Sequence, residues 1–279
     1  MQSGFKTILI PVDFTINTEI AVKKALEVAD INEATIHLLH VLQENNSLVK
    51  DQNNGWMGHT CALEKLSQWK TTIEETLPMI DVCYWIQYGP VQSVIEKKAL
   101  EIDADLIVIG KQHSHYWFPF LNTVVPSDLS SSSGAAILTA KRGSLHNKIK
   151  TIVVPVAEVV PYNKMEIIST LCKRTSIRIH LVAFANEETP HTNPASPLLK
   201  VYQWLKTTVH CPVEYAMLPG GNRAKAILNY AERIDADILL LHPDSETKIG
   251  WPNKQLPDVL PADSKMQVIT VRPSENSIT

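Results

Sequence analysis

The residue best placed to do chemistry is Asp13, a carboxylate closing the apolar run KTILIPVD at 6–13. An aspartate just past a strand can act as a general base or accept hydrogen bonds from a ligand, and it can equally cap the helix that follows. His113 and His115, beside Tyr116 and Trp117, form an HxH pattern that suggests a metal or an aromatic ligand. No acidic partner joins them at a set spacing, so a solvated loop with an aromatic plug is the simpler account, and no metal is expected. His37 and His180 lie inside apolar runs and read as core or interface histidines rather than catalysts. Gly220-Gly221 resembles a phosphate turn, although a turn before a helix explains it as well. The run SSSSG at 130–134 reads as a flexible connection in preference to a phosphoacceptor loop.

Nucleophilic chemistry finds little support. The chain has no GxSxG elbow, no Cys/His motif, no Walker A sequence and no SGGxDS-type pyrophosphate loop after its first strand. The cysteines, Cys61, Cys83, Cys172 and Cys211, form no CxxC pair and read as reduced packing residues. The expectation is a protein that is not an enzyme.

Composition narrows the class. With 279 residues, 44% of them hydrophobic and 20% charged, the chain can fill about two ordinary domains with real cores. A net charge of −3 supplies no basic field, so neither nucleic acid nor a membrane surface is an expected partner. No apolar run reaches the roughly 20 residues a membrane helix needs, and no signal-peptide h-region opens the chain, so the cytoplasm is the expected compartment.

The elements that must position Asp13 alternate in type. Residues 6–12 read as a buried strand, 18–29 as a helix with Thr15, Asn17 or Thr18 as its cap, and 34–42 as a second strand. The polar stretch 43–60 is expected to be an exposed loop or lid. Then come a helix at 61–77, a strand at 81–89, a helix at 90–103, a strand at 104–110, a loop with some helix to Ser133, and a fifth strand from Gly134. The order repeats from 150: KTIVVPVA at 150–157 echoes KTILIPVD, RIHL at 178–181 echoes TIHL at 35–38, and RIDADILLLH echoes EIDADLIVIG. Gly89 and Gly221 each precede a matched aspartate, Asp105 or Asp237, at the same distance. The chain is an internal duplication with its boundary at 142–149, dividing it into domains at 1–142 and 148–279, the second more divergent. Alternating strands and helices predict an α/β fold of two doubly wound, five-stranded parallel sheets, Rossmann-like, in tandem. Ligands of such sheets sit beyond the carboxyl ends of the strands, where strand order reverses.

Residues 7–29, TILIPVDFTINTEIAVKKALEVA, and 89–110, GPVQSVIEKKALEIDADLIVIG, resemble the universal stress protein family. The second half is similar to it in the same order but more weakly. The resemblance implies adenine-nucleotide-hydrolase-like domains that pair through their last strands, so that Ile137–Ala140 and Val268–Val271 meet edge to edge in a pseudo-dimer. It also implies a G-x2-G-x9-G-[S/T] phosphate loop after the fourth strand, where glycines let main-chain amides reach phosphates. Here Gly110 keeps the first place, while His113, Thr123 and Val124 stand in the others. In the second half His242, Ser245, Gln255 and Leu256 occupy those places, and Ala157 replaces Asp13. The expectation is a non-catalytic, stress-linked binding or interaction module with degenerate nucleotide sites. Its first half keeps a vestigial pocket of Pro11, Val12, Asp13, Thr15, Val41, Gly89, Gly110, Gln112, His113, Thr123 and Val124, open to ATP or another adenine nucleotide. The alternative is an ATP-binding switch. Expected partners are the chain's own other half, a second copy, and a protein of unknown identity.

Overall fold

A computed structural model describes residues 5–29, 33–42, 50–51, 55–56, 58–111, 124–157, 159–173, 177–185, 195–243, 246, 256, 260–261 and 263–273. The first half runs β1 (Thr7–Pro11), α1 (Ile16–Val28), β2 (Thr35–Leu42), β3 (Lys50–Asp51), β4 (Gly55–Trp56), α2 (His59–Thr76), β5 (Asp81–Tyr88), α3 (Val91–Glu101), β6 (Leu106–Gly110), α4 (Pro126–Ser133) and β7 (Ala136–Ala140). A 3-10 turn at Arg142–Ser144 leads to the second half: β8 (Thr151–Pro155), α5 (Tyr162–Cys172), β9 (Arg178–Phe184), α6 (Ala195–Thr208), β10 (Val213–Leu218), α7 (Arg223–Arg233), β11 (Ile238–Leu241) and β12 (Gln267–Thr270).

Ten strands form one sheet in the order β10-β9-β8-β11-β12-β7-β6-β1-β2-β5. Each half therefore has its own parallel sheet in the same order, reversing between its first and fourth strands: β1 beside β6, and β8 beside β11. The two sheets join through β12 and β7, which pair antiparallel with Val268 opposite Thr139, Ile269 opposite Leu138 and Thr270 opposite Ile137. That is the expected meeting of last strands, and it removes two edges that would otherwise present unpaired amides. The central strands are β-branched and leucine-rich because helices cover both faces: Ile8, Leu9, Ile10, Ile107, Val108, Val153, Val154, Leu239 and Leu240 are all fully buried.

The duplication is visible in single hydrogen bonds. Asp105 Oδ2 accepts from the amides of Lys6 and Thr7 at 2.9 and 3.0 Å. Asp237 Oδ2 accepts from the amides of Lys150 and Thr151 at the same two distances. Each aspartate lies two residues after a left-handed one, Asp103 at φ 51° and Asp235 at φ 56°. The matched aspartates thus tie the start of the fourth strand to the start of the first, and they are architectural.

The structure corrects three expectations. The 43–60 stretch is not wholly loop: 50–51 and 55–56 form a small antiparallel pair, and α2 already begins at His59. The serine run 130–133 is not a flexible connection but the last part of α4, which Pro126 starts and Gly134 ends with a left-handed cap. The first helix begins two residues earlier than periodicity suggests, at Ile16, because Thr15 is its cap.

Candidate functional site

The switch point of the first half lies between the carboxyl ends of β1 and β6. Pro11 and Val12 are buried there; the Val12 amide donates to Leu39 O at 2.8 Å. Asp13 turns the chain into α1. Its Oδ1 accepts from Thr15 N at 3.0 Å, Thr15 Oγ1 at 2.6 Å and Thr18 Oγ1 at 2.9 Å. The Thr18 hydroxyl in turn accepts from the amides of Asp13 and Phe14, at 3.0 and 3.1 Å, which holds Phe14 at a φ of 57°. Thr15 Oγ1 accepts from Asn17 N at 3.1 Å and is the helix cap. One oxygen of Asp13 is consumed by this knot.

The other oxygen is lightly held. Among the described residues Asp13 Oδ2 receives only a long 3.4 Å bond, from Asn17 Nδ2, and Asn17 Oδ1 is buried with no partner. Two acceptors with spare capacity thus stand side by side at the switch point. An orphaned buried acceptor costs about 1–3 kcal/mol, which a ligand hydroxyl or amine could offset.

Gly110 ends β6 against this helix start. A Cβ there would come within 2.0 Å of Asn17 O, so the glycine is required for strand and helix to touch, apart from any phosphate. Val41 and Val124 are core residues beneath the site, and the Val124 carbonyl accepts from Lys111 Nζ at 3.3 Å. Gly89 sits at the end of the edge strand β5 with φ 133°, a conformation that only glycine enters freely. Gln112, His113 and Thr123, with His115, Tyr116 and Trp117, lie outside the described residues.

Sequence reasoning passed over His40. Its Nδ1 lies 2.7 Å from Val12 O and its ring 4.6 Å from that of Phe14, placing a buried imidazole beside Asp13. Burial lowers its pKa, while the Val12 carbonyl and Asp13 pull the other way. Lys65 of α2 covers the other part of Phe14 at 5.4 Å. The signal is the second imidazole of IHLLHV, which, unlike His37, has no counterpart in the other half.

The same place in the second half is full. Lys164, with no exposed surface, projects from α5; its Nζ donates to Pro155 O at 2.9 Å and to both oxygens of Glu246 at 2.9 and 2.7 Å. Glu246 Oε2 also accepts from the amide of His242 at 2.8 Å. His242, standing where Gly110 stands in the first half, lies 3.4 Å by its Nε2 from Asn163 Oδ1. Burial, with Lys164 nearby, takes its pKa down to about 3. Burial also lowers that of Lys164, while Glu246 pulls the other way. The switch point that could take a ligand is closed by the protein's own ion pair, and a carboxylate there repels phosphate. Ala157, in place of Asp13, starts no corresponding knot. Leu256 is buried in the core, while Ser245 and Gln255 lie outside the described residues.

The matched histidines sit differently: His37 is half-buried on β2, and His180 is buried on β9. His37 Nδ1 accepts from Trp85 Nε1 at 3.3 Å, and His180 Nδ1 lies 3.1 Å from the Tyr230 hydroxyl. Among the described residues no cluster of three or more His, Cys, Asp or Glu could hold a metal ion.

Residues 4–117 match the model of the universal stress protein family. The chain carries a universal stress protein domain. A universal stress protein from Archaeoglobus fulgidus is similar in structure, with a TM-score of 0.68 and 16% identity over 99% of this chain and 98% of that one. A functionally unknown protein from Pseudomonas aeruginosa matches with a TM-score of 0.60 and 16% identity over 96% and 93% of the two chains. At these identities the likeness is one of fold, and it extends the universal stress protein architecture through both halves. No curated protein matches the chain.

Proposed function

We propose that this universal stress protein is a non-catalytic binding module with one usable ligand site, in the first half, and that this site takes a nucleoside-like hydroxyl donor rather than a triphosphate. One observation carries the reading: the first switch point presents under-used acceptors, Asp13 Oδ2 and Asn17 Oδ1, where the second presents the closed Lys164–Glu246 pair. Acceptors suit the hydroxyls of a ribose. They do not suit phosphate oxygens, which need amides or cations. Gly110 meets Asn17 and not an open cradle, which weighs the same way. The departures at His113, Thr123 and Val124 from the family's glycine pattern add the sequence argument.

Calorimetric titration of the nucleotide-stripped protein with adenosine and with ATP, each with and without magnesium, tests this. Adenosine binding that Asp13→Asn weakens about tenfold, with ATP no tighter than adenosine, is the expected result. ATP binding that tightens strongly with magnesium would overturn it and make the first half an ATP switch. No heat with either ligand would also overturn it, leaving protein partners as the field to search.

A further inference from the structure

Two of the four cysteines, far apart in the chain, meet in the second half. Cys172 is the last residue of α5 and half-buried; Cys211 lies two residues before β10 and is buried in the main core. Helix α5 runs back against the strands, so both sit at the amino ends of β9 and β10, the side of the sheet away from the switch points. The Cys211 thiol lies 4.0 Å from the Cys172 carbonyl, to which it donates. The two thiols also touch each other: burial first, and then a hydrogen bond with the Cys211 thiol, push the Cys172 thiol pKa up.

The first half shows that packing alone does not call for sulfur here. Counted from the matched Pro11 and Pro155, Cys172 stands where α1 has Val28. Counted from Cys83 opposite His37 and Glu214 opposite His180, Cys211 stands where the first half has Ile80. Val28 and Ile80 are both buried core residues. Two apolar side chains fill that place in one half, and two thiols fill it in the other.

From two thiols in contact, one of them reachable from solvent, we infer that Cys172 and Cys211 form a thiol–disulfide site, closed by a peroxide and reopened by a dithiol reductant. Cys172, the more exposed, is the attacking sulfur. Its thiolate attacks one peroxide oxygen, the O–O bond breaks, and Cys172 becomes a sulfenic acid while the hydroxide released takes up the thiol proton as water. The Cys211 sulfur then attacks that of Cys172; the S–S bond forms, the S–O bond breaks, and the departing hydroxide leaves with the Cys211 proton as a second water. Two thiols lose two electrons and one peroxide gains them. Burial keeps the thiolate scarce, so the closure is slow. The bond would tie the end of α5 to the start of β10 across β9 and α6, and so restrict the unfolded chain.

The test treats the full reduced chain with hydrogen peroxide, blocks remaining thiols with N-ethylmaleimide, and maps tryptic peptides without reduction. The expected product joins Met165–Lys173 to Thr207–Arg223 within one chain, with Tm raised by about 5 °C and restored by dithiothreitol. Cys172→Ser should abolish the joined peptide and the Tm rise together. Should that variant fold poorly, Cys172→Val with Cys211→Ile writes the first half's own pair into the second, and its Tm should not rise with peroxide. Sulfinic acid at Cys172 without a joined peptide would overturn the inference. So would a peptide joined only between two chains, or a Tm rise that persists in the Val/Ile variant. None of these results depends on the Asp13 site.

Discussion

The two switch points of this molecule began as one design and now do opposite things. In the first, a threonine-aspartate knot starts α1, Gly110 lets the helix touch β6, and two acceptors are left with capacity to spare. In the second, a helix lysine has swung into the crevice, met Glu246 and Pro155, and closed it, with His242 in the glycine's place. The framework has not diverged with them, for Asp105 and Asp237 make the same pair of bonds at the same lengths. A buried strand tolerates little change, because every side chain faces a helix. A crevice only has to be filled or left open, and either solution folds.

That contrast can be broken by mutation, most forcefully in the second half. Lys164→Met leaves Glu246 buried without its counter-charge and should cost about 3–5 kcal/mol in denaturant unfolding. Lys164→Met with Glu246→Leu together should recover most of that loss, since a well-packed apolar pair replaces a desolvated ionic one. An additive double variant would mean that the pair does not act as a unit. Next in size, Asp105→Ala and Asp237→Ala each strand two backbone amides and should each cost about 2–4 kcal/mol. Equal costs would establish that the halves share one framework, whereas a large difference would show that one sheet carries the other.

Smaller effects sharpen the picture of the first half. Thr18→Val keeps the shape and removes the hydroxyl that the amides of Asp13 and Phe14 use, and it should cost about 1–2 kcal/mol. The same knot positions Asp13, so adenosine affinity should fall with it. Smallest is a pH effect at His242. His242 has a folded pKa of about 3 against an ordinary 6.5, so the unfolded chain binds the extra proton first as pH falls. Stability is lost below about pH 6.5, by about 1 kcal/mol at pH 5.5 from this residue. His242→Asn should flatten the stability–pH curve by that amount, and an unchanged slope would assign the loss to the other buried histidines, His40 and His180.

Much of this was legible in the chain itself. The repeated strand, the echo of RIHL and TIHL, and the paired IDAD sequences determine a duplicated α/β fold, because buried parallel strands must be continuously apolar and their spacing sets the crossovers. Asp13 was legible as a strand-tip carboxylate, but that Thr15 and Thr18 take one of its oxygens and leave the other lightly held is decided by the fold. Other features depended on contacts far apart in sequence. Lys164 and Glu246 are 82 residues apart, and nothing local marks either as buried. His40 meets Val12 across 28 residues. The serine run looked flexible by composition, yet Pro126, the Gly134 cap and packing against the last strands make it helix. Periodicity along a chain fixes which face of an element is buried; only the tertiary structure decides which charges meet in the crevices between elements, because those meetings are set by the order of strands and not by neighbours in sequence.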